Sequence, residues 1–383
     1  MSKVILAALL GFASFQSDFL LQVIPVKSVS FQTPGPQLAT TAVIEAFNQY
    51  SIIALAEAHR LQEEHDFITS LIRDPAFPMK VNDIVIEWGN ALYQSTLDRY
   101  MAGEEVPLSE LRKVWRNTGF SPFAPWDAPV YERFFQTVRS VNQQLSPPRR
   151  LRVLAGDPPV DWGKSRDEIT AIKQRHPRDR HFAEVVIKEV LSKNRKALVL
   201  MGGNHLYRYS WNPYSDQQPE TVIDLLDRYR PKAVFVIMAH AFESRNAELE
   251  ARLAKWPRPS LVFLKNTWLG MIETERLMSQ TITRGFPDGR VFTVKINAYP
   301  GTKLEDLADA YIYFGDMESL TASIPAPEMY RADPEYLHEL QRRYEMMSGG
   351  RQFPVETLLK ERASNKYYTG SSGPPPLPPH RDD

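Results

Sequence analysis

The stretch SIIALAEAH, residues 51–59, decides how this chain is read. Ile52 to Ala56 is an unbroken apolar run, and Glu57 and His59 come directly after it. A strand with one wet face alternates apolar and polar residues, so an unbroken run fits a strand buried on both faces of a parallel sheet. The same form recurs in DIVIEW (83–88), LRVLA (151–155), KALVLM (196–201) and AVFVIMA (233–239), with SLVFLK (260–265) and RVFTVKI (290–296) as further candidates. Before and between the runs lie amphipathic stretches at residues 42–49, 61–72, 130–145, 182–193 and 221–229. The third of these sets Val130, Phe134, Val138, Val141 and Leu145 on one helical stripe. Strand–helix alternation predicts an α/β fold: a mostly parallel sheet flanked by helices, with helical insertions over 94–130 and a further helix at 336–347.

A titratable side chain stands at the end of each run. SIIALA leads into Glu57 and His59, DIVI into Glu87 with Asn90 beyond, LRVLA into Gly156 and Asp157, KALVLM into Gly202-Gly203-Asn204-His205, and AVFVIMA into His240. In open α/β sheets ligands bind outside the carboxyl ends of the strands. Parallel strands would bring these groups to one crevice. Each also has a structural explanation. Glu57 and His59 could cap the helix that begins near Leu61, and Asp157 before two prolines could be an N-cap. Glu87 needs a cross-sheet partner or an exposed site, because an unpaired buried carboxylate is costly. The two glycines before His205 allow a sharp turn or a close approach. His65 reads as a residue behind His59 or a solvent-facing one, and His240 as a hydrogen-bonded histidine near the core.

Glu57, His59, Glu87 and His205 together suit two kinds of chemistry. A carboxylate-held histidine is a general base for water. Two histidines with carboxylates are also the ligand set of a catalytic divalent ion. The HExxH pattern, the G-x-S-x-G elbow, the Walker A loop and the dinucleotide G-x-G-x-x-G are absent from the sequence.

The chain has 383 residues and no cysteine, which excludes disulfides, thiolate metal sites and cysteine nucleophiles. Lys plus Arg and Asp plus Glu are both 46, so net charge makes no case for nucleic acid. Residues 1–20 place one lysine before an apolar run, as an export signal or as a buried N-terminal segment; the first would make the protein periplasmic or secreted, the second cytoplasmic. No run reaches the ~18 apolar residues of a membrane-spanning helix. Residues 35–350 are expected to form the α/β domain. Residues 369–383, TGSSGPPPLPPHRDD, are expected to be a disordered, proline-rich tail.

ALAEAHRLQEEHDF (54–67), IVIEWGNALYQ (84–94), LRVLAGDPPVDW (151–162) and LVLMGGNHL (198–206) resemble the superfamily that joins erythromycin esterases, ChaN-like haem-binding proteins and TIKI-type metalloproteases. Its Gly-Glu-x-His block stands here as Ala56-Glu57-Ala58-His59, its second glutamate as Glu87 and its later Gly-x-x-His block as Gly202 to His205. The late segment 307–321 also looks like the end of an esterase-like domain. The resemblance implies a site lined by Glu57, His59, Glu87 and His205. It leaves three chemistries open: a metal-free esterase, a haem binder, or a protease in which those four residues hold a divalent metal. The expectation is a hydrolase acting on an ester or related small molecule. His59 is its base, Glu57 or Glu87 orients His59, His205 stabilises charge, and Asn90, Asp157, His65 and His240 contribute to substrate binding. If Ala56 needed a positive φ, its backbone would be strained.

Overall fold

The computed structural model describes residues 35–121, 123–209, 220–241, 246–285, 291–297, 299–360 and 364–367. The possible export segment and the proline-rich tail lie outside them. Ten strands are described: β1 (Gln37–Leu38), β2 (Ile52–Glu57), β3 (Asp83–Asn90), β4 (Arg152–Asp157), β5 (Ala197–Gly202), β6 (Val234–Ala239), β7 (Ser260–Phe263), β8 (Ser279–Gly285), β9 (Val291–Asn297) and β10 (Ala310–Tyr313).

Eight of these form one sheet in the order β1-β7-β10-β6-β2-β5-β3-β4. The five apolar runs become the contiguous parallel block β6-β2-β5-β3-β4. Every residue of β2, β3, β5 and β6 is buried, which is why those runs carry no polar alternation. Successive residues serve opposite faces. Ile53, Leu55, Ile84, Ile86, Leu198 and Leu200 pack under the helices Gln62–Arg73 and Pro129–Gln144. Ile52, Ala54, Val85, Val199 and Val236 pack under the helices Arg178–Glu189 and Val222–Tyr229. The result is a mostly parallel sheet with helices on both faces, the expected α/β fold.

The far half of the sheet departs from the sequence reading. SLVFLK supplies β7, which is antiparallel to β10. RVFTVKI supplies β9, but β9 pairs with β8 in a separate two-stranded sheet rather than joining the main one. β10 takes a place inside the main sheet between β6 and β7. Its four residues are too few to announce a strand by pattern, and sheet pairing decides it.

Two features carry the fold to the site. The register of β3 against β4 shifts between Ile86 and Asn90, so regular pairing ends just before Glu87. Such irregularities re-aim side chains. The inserted helices Gln94–Ala102, Leu108–Leu111 and Lys113–Arg116 lead into the segment Asn117–Ser121. The late helix Pro334–Ser348 holds that segment through Arg343, which donates to Arg116 O at 3.1 Å, Ser121 Oγ at 3.0 Å and Asn117 Oδ1 at 2.8 Å. Asn90 holds it from below, donating to Asn117 O at 2.6 Å and Val160 O at 2.8 Å. Among the described residues, no helix is long and apolar enough to cross a membrane.

Trp88 is fully buried and touches the rings of His65, Trp126, Tyr131 and Phe134. Trp88→Ala is expected to destabilise the fold by about 3–5 kcal/mol, as deletion of a large core aromatic does. The drop in the urea midpoint of unfolding measures it.

Candidate functional site

Parallel pairing brings the exits of β2, β3 and β5 side by side. Glu57 lies opposite Gly202 in the register of β2 and β5. Gly202 N donates to Glu87 Oε2 at 2.6 Å, so β3 is stitched to the same spot.

Glu57 is buried at the end of the central strand. Its Oε2 pairs with His59 Nδ1. Its Oε1 meets His65 Nε2 at 2.8 Å and accepts from the Tyr131 hydroxyl at 3.0 Å. Burial pushes the Glu57 carboxyl up, but His59 and His65 outweigh it and bring it down to about 2. Glu57 is therefore ionised at neutral pH, and its three contacts replace the water it has lost. The helix behind it has Leu61 as N-cap with no side-chain cap, so neither Glu57 nor His59 is capping it. Glu64 does the local tethering instead: its Oε2 accepts from Ala58 N at 2.8 Å. Burial, and then the charge of Glu57, hold the Glu64 carboxyl well above the usual range.

His59 stands edge-on to Trp126, with ring centroids 4.8 Å apart, and its side chain is 45% exposed. Desolvation lowers its pKa, but Glu57 and Glu87 more than compensate and the net shift is upward. Ala56 needs no positive φ, so alanine introduces no strain there; the left-handed residue of this turn is Arg60, at φ 69°.

A second carboxylate–imidazole pair faces the first. His205 Nδ1 pairs with Asp179, and its Nε2 lies 3.5 Å from Glu87 Oε1. Desolvation opposes the imidazolium, yet Glu87 and Asp179 push the His205 pKa up to about 9. Glu87 is also clamped by Arg178 Nη2 at 2.9 Å, and Arg178 Nε reaches Asp157 Oδ1 at 2.9 Å. Burial works against the Glu87 charge, but His205, Arg178 and His59 hold its pKa well below the carboxylate range.

Gly202 and Gly203 are there for close approach, since neither has a positive φ. A Cβ on Gly202 would lie 2.8 Å from His59 Cε1, and one on Gly203 would lie 2.6 Å from the Tyr207 hydroxyl. Around these groups is a cavity of about 410 Å³, lined by Glu57, His59, Glu87, Arg178 and His205 and by the rings of Phe120, Trp126, Tyr207, Tyr299 and Tyr367.

The structure thus joins Glu57, His59, Glu87 and His205 in one constellation. His65 sits behind it, against Glu57. Asp157 is no helix cap: the next helix begins only at Arg166, and Asp157 instead accepts from Gly119 N and pairs with Arg178. Asn90 and His240 are not among the cavity's lining residues. Asn90 ties backbone segments together, and buried His240 bonds Tyr311 and lies 3.0 Å from Glu250 Oε1. Arg178 and Asp179 escape the sequence reading because they form the polar first turn of a helix whose apolar stripe begins at Phe182. Tyr131 escapes because it sits beside the apolar stripe of an amphipathic helix.

The four residues do not offer a donor set for a divalent metal. Both oxygens of Glu57 and of Glu87 are engaged by protein donors, and the Arg178 guanidinium occupies the place beside Glu87 that a cation would need. Among the described residues no group of three or more histidine and acidic side chains is arranged to hold a metal ion. His205 has a carboxylate near each ring nitrogen, whereas His59 Nε2 has no hydrogen-bond partner among the described residues. That nitrogen is the one available to a proton, or to the iron of a haem.

The arrangement predicts that His205 titrates near 9 by imidazole NMR, and that Asp179→Asn and Glu87→Gln each move it toward 6.5. The fold favours the imidazolium. Its contribution to stability is therefore full below about 6.5 and lost as the pH rises through about 9.

No family model matches the chain, and no curated protein does. Solved structures do. A succinoglycan biosynthesis protein superposes with a TM-score of 0.52 at 8% identity, over 74% of this chain and 94% of its own. An erythromycin esterase mutant in its open conformation superposes with a TM-score of 0.46 at 14% identity, over 72% and 92%. ChaN of Campylobacter jejuni, with cofacially bound haem, superposes with a TM-score of 0.35 at 16% identity, over 55% and 88%. At 8% identity the likeness to the succinoglycan biosynthesis protein is one of fold alone.

Proposed function

We propose that this protein is a hydrolase that activates water against an ester or a related small molecule, with His59 as general base. The observation that carries the reading is the Glu57–His59 pair: a buried, permanently ionised carboxylate holds Nδ1 and leaves Nε2 free beside a cavity of ligand size. Above its raised pKa His59 is neutral and takes a proton from water. Glu57 stabilises the imidazolium that forms, and His65 and Tyr131 hold Glu57 in place. The environments of the two histidines separate their roles. His205, titrating near 9, is cationic at neutral pH and suits charge stabilisation, whereas His59 suits proton abstraction.

The lining also bears on the substrate. Arg178 is paired with both Glu87 and Asp157, and the rings of Phe120, Trp126, Tyr207 and Tyr299 form much of the wall. Aromatic walls favour a partly apolar ester or lactone.

With a panel of p-nitrophenyl esters and lactones, His59→Ala is expected to lower turnover by about 10²–10⁴-fold, the usual contribution of a positioned base. The rate should rise with pH through a midpoint above 6.5, the ordinary value for His59, and Glu57→Gln should move that midpoint down. Wild-type turnover in His59→Ala would refute the assignment. A Soret band on haem titration that is lost in His59→Ala would carry the ligand-binding alternative instead.

A further inference from the structure

Tyr207 belongs to neither carboxylate–imidazole pair. It lies just beyond the Gly202–His205 turn, its side chain lines the cavity, and the residue is only 8% exposed. The residue is buried, but its hydroxyl is not among the fully buried polar atoms that lack a partner, so it keeps some exposure at the cavity. Tyr207 has no hydrogen-bond partner for this hydroxyl among the described residues, although its neighbours have theirs: the Tyr299 hydroxyl donates to Asn204 Oδ1 at 2.7 Å, and Tyr131 serves Glu57.

The ring is nonetheless held firmly. Its tip rests on the Gly203 Cα, where a Cβ would lie 2.6 Å from both Cζ and the hydroxyl oxygen. Tyr299 packs edge-on against it, with centroids 5.7 Å apart. The preceding residue, Gly202, makes the same close approach to His59, where a Cβ would lie 3.1 Å from Nε2. Consecutive Cα atoms are about 3.8 Å apart. The free imidazole nitrogen and the free hydroxyl therefore rest on adjacent residues of one turn, beside one cavity. Burial, together with the nearby Glu64, raises the Tyr207 pKa, so the group remains a phenol and a donor throughout the neutral range.

We propose that the Tyr207 hydroxyl is the catalytic hydrogen-bond donor to the substrate carbonyl oxygen, and to the oxyanion that develops as water adds; this rests on the hydrolase reading. In that step the water oxygen bonds to the carbonyl carbon and its proton passes to His59 Nε2. The carbonyl π electrons move onto the oxygen facing Tyr207. When the tetrahedral intermediate collapses, the C=O bond re-forms, the ester C–O bond breaks, and the departing alkoxide takes the proton back from His59. Tyr207 donates a hydrogen bond throughout and does not itself ionise.

Tyr207→Phe tests this, because it keeps the ring against Gly203 and Tyr299 and removes only the hydroxyl. The expected result on the p-nitrophenyl ester panel is a fall in kcat of about 10²-fold, the cost of losing one oxyanion donor, with KM changed less than about threefold. Binding supplies a second readout. Affinity for O-phenyl methylphosphonate, a tetrahedral mimic, should fall in Tyr207→Phe. Affinity of a p-nitrophenyl ester should fall less between His59→Ala and the double variant His59→Ala/Tyr207→Phe than affinity for the phosphonate does. Wild-type kcat in Tyr207→Phe, or equal losses for ester and phosphonate, would overturn the proposal. If the wild type hydrolyses no ester, the hydrolase reading fails separately. The phosphonate comparison then still decides whether Tyr207 donates: weaker binding in Tyr207→Phe supports it, and unchanged binding overturns it.

Discussion

Glu57 ends the central strand as a buried charge, and a buried carboxylate persists only if its lost hydration is replaced by well-placed donors. Here His59, His65 and Tyr131 do this from three different segments: the loop after β2, the helix beyond that loop, and the helix Pro129–Gln144. The requirement explains why those segments converge. His65 and Tyr131 stack edge-on and both touch Trp88 on β3, so the core beneath the site and the site itself are one packed body. A change that releases one donor leaves the charge uncompensated and unsettles the imidazole it holds.

The same logic organises the opposite wall. Glu87 is balanced by Arg178, by His205 and by the backbone N–H of Gly202, and Arg178 is shared with Asp157. The chain Glu57–His59 and the chain Asp179–His205–Glu87–Arg178–Asp157 hold four carboxylates against the cations Arg178 and His205. The pocket is thus rich in charge, within a chain whose formal net charge is zero. Its groups differ in protonation because their partners differ, and that difference makes an acid–base division of labour available.

Much of this was legible in the residues. Unbroken apolar runs revealed the five parallel strands, because burial on both faces leaves no room for polar alternation. A titratable group after each run revealed the site edge, because parallel strands end on the same side. Other features were hidden. Arg178 and Asp179 sit before the apolar stripe of their helix begins, so no periodicity marks them. Tyr131 looks like any core aromatic in an amphipathic helix. Asn90 and His240 stand at strand exits like the others, yet their side chains are consumed by structural hydrogen bonds, which sequence position cannot distinguish from a site role.

The sequence by itself determined the α/β class, the identity of the central strands and the placement of Glu57, His59, Glu87 and His205 at their carboxyl ends. These properties come from local hydrophobic pattern, which each segment carries within itself. The tertiary structure decided which carboxylate serves which imidazole, that Arg178 pairs with Glu87, that β9 leaves the main sheet while β10 enters it, and that the Tyr207 hydroxyl bonds no other described residue. Those facts depend on contacts between residues far apart in the chain. Their energies come from burial and geometry that exist only once the sheet has formed.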